Sequence, residues 1–127
     1  MIDKILYIDW NSPDEKGVME PLKETYRITK CSSFKSLRAL ELFENDLIII
    51  REIKSIEELI NNIKYLNSLI IKNILIVIPF EWKKSFYEQS QVLEFIDVVY
   101  EPILLNELLF HIKKIKCWRQ IYTKNNV

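Results

Sequence analysis

The strongest constraint on this chain is a set of short apolar runs that each stop abruptly. Ile74-Leu75-Ile76-Val77-Ile78 is continuously apolar and is ended by Pro79. Ile5-Leu6-Tyr7-Ile8 ends at Asp9, and Leu47-Ile48-Ile49-Ile50 ends at Arg51. Uninterrupted apolar runs of this length read as strands covered on both faces. Two further runs are more polar. Tyr26 to Cys31 alternates apolar and polar residues, and Phe95 to Tyr100 contains Asp97, so both read as edge strands. Isoleucine supplies 21 residues, a β-branched excess that favours strands.

Helical patterns lie between these runs. Asn11-Ser12-Pro13-Asp14 offers a turn and a helix start, but Gly17 and Pro21 leave only a short or kinked segment behind it. Ser33 can cap a helix over Phe34 to Phe43, with Leu37, Leu40 and Phe43 expected on its inner face. Ser55-Ile56-Glu57-Glu58 is a capping-box pattern. It opens a helix whose apolar positions 56, 59, 60, 63 and 66 paint one face, and Asn73 is expected to break it. Glu81 to Gln89 reads as a short helix. A last helix from about Leu104 carries Leu105, Leu108, Leu109, Ile112 and Ile115 inward and runs to about Tyr122.

Strands alternating with helices at this spacing predict an α/β protein with a parallel sheet and helices on both faces. The three most apolar strands belong at the centre and the two polar ones at the edges. That arrangement agrees with a three-layer, flavodoxin-like fold of strand order 2-1-3-4-5. A chain of 127 residues suits one domain, expected over 1–122, with 123–127 as a tail or the start of a linker.

Composition excludes several function classes. Net charge is zero, so no global field draws the chain to nucleic acid or to a membrane surface. No apolar run approaches the roughly 20 residues a membrane span needs. Cys31 and Cys117 form no metal-ligand pattern, and with no secretory pattern at the start they read as reduced thiols of a cytoplasmic protein. Gly17 is the only glycine, so there is no phosphate loop, which argues against a nucleotide or flavin cofactor. His111, the only histidine, has no partner at ligand spacing and reads as a helix-surface or boundary residue. No nucleophile–base set can be assembled. From Leu108 onward Lys113, Lys114, Lys116, Arg119 and Lys124 stand without an acid. This is a solvated helix face and C-terminus, or a docking surface for an acidic partner.

The strand ends carry a further pattern. The first apolar strand ends in Asp9-Trp10-Asn11. The third runs Asp46-Leu47-Ile48-Ile49-Ile50-Arg51, and the fifth ends Tyr100-Glu101-Pro102-Ile103. In order and spacing of elements, residues 1 to 104 resemble the receiver domain of two-component response regulators, the CheY-like fold. The resemblance implies that Arg51 stands where that family has its phosphate-accepting Asp, and Glu101 where it has a Lys. Ile78 or Pro79 stands where it has Ser or Thr, and Val98 at its aromatic switch position.

These departures predict a receiver scaffold without receiver chemistry. Phosphoryl transfer to a carboxylate needs the carboxylate, a divalent ion and an opposing cation. Of the family's acids only Asp9 remains, and Arg51 would put a permanent positive charge where the ion should sit. Asp9, Trp10, Arg51, Glu101 and Pro102 are therefore expected to form a vestigial pocket with no catalytic residue, metal or cofactor. Glu52 or Glu101 beside Asp9 is the one route to a weak ion site. Arg51 and Glu101 are expected to face each other as a directional ion pair.

By the same resemblance, the fourth helix, fifth strand and fifth helix imply a face for a protein partner or a homodimer. Trp82, Phe86, Tyr87, Val98 and Trp118 are its candidate residues, since aromatic residues are enriched at protein contacts. Three roles follow. The first is a signalling module that works by contact, without phosphorylation. The second is an N-terminal regulatory domain of a longer regulator with a DNA-binding or enzymatic output. The third, disfavoured by the missing nucleophile, is a small enzyme on the same sheet.

Overall fold

In a computed structural model, residues 2–9, 23–31, 37–51, 54–104 and 106–115 are described. Their element order is β1 (Lys4–Asp9), α1 (residues 23–25), β2 (Arg27–Cys31), α2 (Ala39–Phe43), β3 (Leu47–Arg51), α3 (Ile56–Ser68), β4 (Ile74–Pro79), α4 (Lys83–Gln89), β5 (Asp97–Glu101) and α5 (residues 106–115). A 3-10 turn, Phe80–Trp82, leads from β4 into α4. The five strands form one sheet of order β2-β1-β3-β4-β5. Every neighbouring pair is parallel.

Alternation along each central strand builds two cores. Leu6, Ile8, Ile48, Ile50, Ile74, Ile76 and Ile78 face Leu42 of α2, four residues of α3 and Phe86 of α4. Ile5, Tyr7, Leu47, Ile49, Leu75, Val77 and Val99 face Leu108, Ile112 and Ile115 of α5. A strand covered by helices on both faces buries both sets of alternating side chains, which is why β1, β3 and β4 read as unbroken apolar runs between their ends. The edge strands stay partly wet, apart from Val99 in β5.

Helix α3 follows its sequence pattern closely. Ser55 is its N-cap, and its hydroxyl accepts the Glu58 backbone N–H at 3.1 Å. Leu59, Ile60, Ile63 and Leu66 are buried. Each such side chain contributes about 1.5–3 kcal/mol of apolar burial before entropy is counted.

Three local expectations are corrected. Helix α3 ends at Ser68, not at Asn73, because Ile70 takes a left-handed backbone (φ 63°) that closes the turn. Asn73 instead ties the amino edge of the sheet, its side-chain amide donating to the backbone carbonyls of Asn45 and Asp46. Helix α2 begins at Ala39 with Arg38 as its N-cap, not at Phe34 after Ser33, and its buried residue is Leu42, while Leu40 and Phe43 are 69% and 54% exposed. Strand β5 begins at Asp97, not at Phe95, and Phe95 packs against Phe86 with ring centroids 5.5 Å apart.

The expected kinked segment after Pro13, Leu105, Cys117 and the domain end at 122 lie outside the described residues. Among the described residues, no helix is long and apolar enough to cross a membrane.

Candidate functional site

The carboxyl ends of β1, β3 and β5 bring three of the singled-out residues to one rim. Asp9 and Arg51 are register partners across β1 and β3. Arg51 pairs with Val77 of β4, and Pro79 with Glu101 of β5. Side chains two apart on a strand share a face, so Asp9, Arg51 and Glu101 lie on the side occupied by Tyr7, Ile49 and Val99, toward α5. Ligands of open α/β sheets bind at this edge.

Arg51 Nε donates to Glu101 Oε1 at 2.8 Å. Strand β4 lies between the two parent strands, so the backbones stand roughly 10 Å apart at ordinary strand spacing. Two long side chains are needed to close that span, and both are largely shielded, at 14% and 21% exposure. Arg51 Nη1 also donates to the hydroxyl of Tyr7 at 3.1 Å. Burial works against the guanidinium charge, but charge interaction and hydrogen bonding with Tyr7 and Glu101 outweigh it, so its pKa is raised above the ordinary arginine value. Arg51 is a fixed cation at this rim. Asp9 is buried beside it, at 1% exposure.

Tyr7 is the member that sequence reasoning missed. It reads as one more apolar residue in a buried strand, and its ring is indeed fully buried. A buried phenol needs a partner for its hydroxyl, and a tyrosine two residues before a strand-end acid was the available signal. Pro102 follows Glu101 through a cis peptide bond and is exposed. Trp10 and Glu52 lie outside the described residues. Among the described residues, no group of three or more His, Cys, Asp or Glu could hold a metal ion.

The second candidate surface needs redrawing. Phe86 is not on it: the residue is buried at 1% and packs under α4. Trp82 and Val98 are partly buried against the same core, and Trp118 lies outside the described residues. Tyr87 is exposed at 69%. The aromatic residues that join it are Phe80 and Tyr100. Together with Glu81, Lys83 and Lys84 these three line an open groove of about 650 Å³. The Phe80 and Tyr100 rings meet edge-on with centroids 6.2 Å apart. Lys83 Nζ lies 5.7 Å from the Phe80 centroid and 5.4 Å from that of Tyr100. Phe80 was overlooked because it follows Pro79 at a strand end, where periodicity says nothing about facing.

His111 lies beside an acid that its sequence neighbourhood does not contain. Its Nδ1 is 3.1 Å from Asp97 Oδ2, joining α5 to the start of β5.

No protein-family model matches the sequence, and a search of curated proteins finds no match. Among solved structures, the chain is similar to the chemotaxis response regulator CheY4 of Vibrio cholerae. The TM-score is 0.64 at 15% identity, over 91% of this chain and 99% of that one. Strand order, parallel pairing and this likeness agree: the chain has the five-stranded, three-layer fold of a CheY-type receiver domain.

Proposed function

We propose that this chain is a pseudo-receiver, a signalling module that works by protein contact and is not switched by aspartyl phosphorylation. The observation that carries the reading is the 2.8 Å contact between Arg51 and Glu101. In the receiver arrangement the acceptor carboxylate sits at the end of the third strand and a cation at the end of the fifth. Here the two charges are exchanged. A phosphoryl group needs a nucleophilic carboxylate and a metal ion at this rim. The donor set does not fit a divalent ion: the Glu101 carboxylate is engaged by a guanidinium, and that permanent cation stands beside Asp9. The pair can instead hold the ends of β3 and β5 in one arrangement without modification. Output then falls to the surface of α4 and β5, where Phe80, Tyr87 and Tyr100 supply apolar area.

Incubation of the purified chain with acetyl phosphate and magnesium, read by intact mass, tests this. The expected result is no phosphoryl adduct under conditions that label an active receiver completely. A stoichiometric adduct abolished by Asp9→Asn would overturn the proposal.

A further inference from the structure

At the amino edge of the sheet a bulky side chain is held outward against the preference of its own backbone. Helix α3 closes in a Schellman turn: the Ile70 N–H donates to the Asn67 carbonyl at 2.9 Å, and the Ile71 N–H to the Leu66 carbonyl at 2.9 Å. The turn needs a left-handed residue at position 70, where glycine ordinarily stands and a β-branched residue is an outlier. Glycine would close it without strain, and the isoleucine side chain is 80% exposed, so it gives the core little in return. A strained residue whose side chain serves no core points to a role outside its own chain.

Ile70 stands at an open groove of about 620 Å³. Phe43, more than half exposed, and Ile96, partly buried, are its other apolar walls. Asp46 and Lys72 line it with opposite charges. The Asp46 carboxylate is fixed in place, accepting the backbone N–H groups of Asp3 and Lys4 at 2.9 and 3.0 Å. Lys72 is exposed and pairs with Glu94 at 2.8 Å. Asp46 and Ile96 directly precede β3 and β5, so this groove lies at the edge opposite Arg51. It shares no residue with the groove of Phe80, Tyr87 and Tyr100.

We infer that this edge is a self-association surface, on which the Ile70 side chain of each copy seats in the groove of the other, between Phe43 and Ile96. Knob and hole occur on one patch, so a two-fold axis satisfies both at once. The same axis sets Lys72 of each copy against Asp46 of the other. A strongly acidic or strongly basic partner would instead meet one of these two residues with like charge. An ammonium donates to more than one acceptor, so Lys72 can reach the second copy and keep Glu94. Net charge is zero, so two copies approach without long-range repulsion. The patch is small, and the dimer is accordingly a weak, concentration-dependent one.

Sedimentation equilibrium of the full chain, from micromolar to millimolar concentration, tests this. Isotope-filtered NMR on a mixed labelled sample places the contact. A monomer–dimer equilibrium is expected, with intermolecular NOEs from the Ile70 methyls to the Phe43 ring. Ile70→Gly should raise the dissociation constant about ten-fold or more, since it deletes the seated side chain. In dilute solution, where the chain is monomeric, the same variant should unfold at a higher urea concentration. Weaker association together with a firmer fold is the signature of a side chain kept for contact. Lys72→Glu sets acid against acid across the axis and should weaken the dimer as well. A chain that stays monomeric at every concentration would overturn the inference and leave this edge to a different protein. So would a dimer that survives Ile70→Gly, or NOEs that join other surfaces. A lower urea midpoint for Ile70→Gly would show that the side chain serves the fold, and would overturn it too. The phosphodonor experiment decides a separate question at the opposite edge, and neither result fixes the other.

Discussion

Arg51 at the end of β3 and Glu101 at the end of β5 meet at 2.8 Å across the intervening strand β4, and the hydroxyl of Tyr7 holds the other side of the same guanidinium. The contact spans two strand spacings, so it couples strands that share no backbone hydrogen bonds. The proposed function rests on that relationship more than on any single residue.

The pair should be measurable by a double-mutant cycle. Arg51→Met should cost about 2–3 kcal/mol in urea unfolding, because it leaves a shielded carboxylate without its partner. Glu101→Gln should cost less, about 1–2 kcal/mol. The double variant should fall short of their sum by about 1 kcal/mol. Strict additivity would mean that the two side chains do not interact in solution.

Tyr7→Phe removes one hydroxyl and leaves the ring in the core. A loss of about 1.5 kcal/mol is expected, the lower end for a hydrogen bond to a charged group. The Arg51 Nη1 protons, which the hydroxyl accepts, should also exchange faster with solvent. An unchanged exchange rate would show that Tyr7 does not help to hold the guanidinium.

Ile70 occupies a left-handed backbone with its side chain 80% exposed. A β-branched residue is costly there and gains nothing from burial. Ile70→Gly is therefore expected to stabilise the chain by about 1 kcal/mol, read as a higher urea midpoint with unchanged slope. A destabilised variant would mean that this side chain makes a contact worth more than the strain.

Asn67 ties the end of α3 to the segment before β5. Its amide donates to the carbonyls of Ile71 and Glu94, and its carbonyl accepts the Glu94 N–H at 2.9 Å. Asn67→Ala loses all three bonds and should cost about 2–3 kcal/mol. Amide exchange should quicken at Glu94 first. Uniform quickening along the chain would instead indicate a global effect.

Two phenols should titrate late. Burial raises the pKa of Tyr100, with Asp97 adding to it, and burial raises that of Tyr26. A raised folded pKa means that the neutral phenol is the form the fold favours. Its stabilising contribution is complete below about pH 10 and is lost as pH rises through the folded values. Tyrosinate absorbance should show a component above pH 10, reduced in Tyr100→Phe. Asp97→Asn should bring the Tyr100 step down. A single transition at the ordinary tyrosine value would contradict this assignment.

The strand order was legible because β1, β3 and β4 are unbroken apolar runs between their ends while β2 and β5 are not. Helix α3 was legible because thirteen residues give four buried positions that fix one face. The short helices were not. One residue of shift turns a helix by about 100°, and a helix of five or seven residues holds too few apolar positions to settle it. So Leu42 went inward where Leu40 and Phe43 had been expected, and Phe86 joined the core in place of the surface.

The site divided in the same way. Arg51 and Glu101 could be singled out in the chain because each ends an apolar run, and a parallel sheet gathers such ends at one edge. A buried phenol in β1 announced that it needs a partner, but not that Arg51 of β3 supplies it. Nothing near His111 named Asp97, and nothing beside Pro79 showed that Phe80 turns toward Tyr100. Sequence alone determined the elements, their layers and the charges at the rim, because periodicity and strand-end chemistry are local properties. Only the tertiary structure decided which side chains touch, because those contacts join residues from separate strands and helices and depend on rotations of short elements that no local pattern sets.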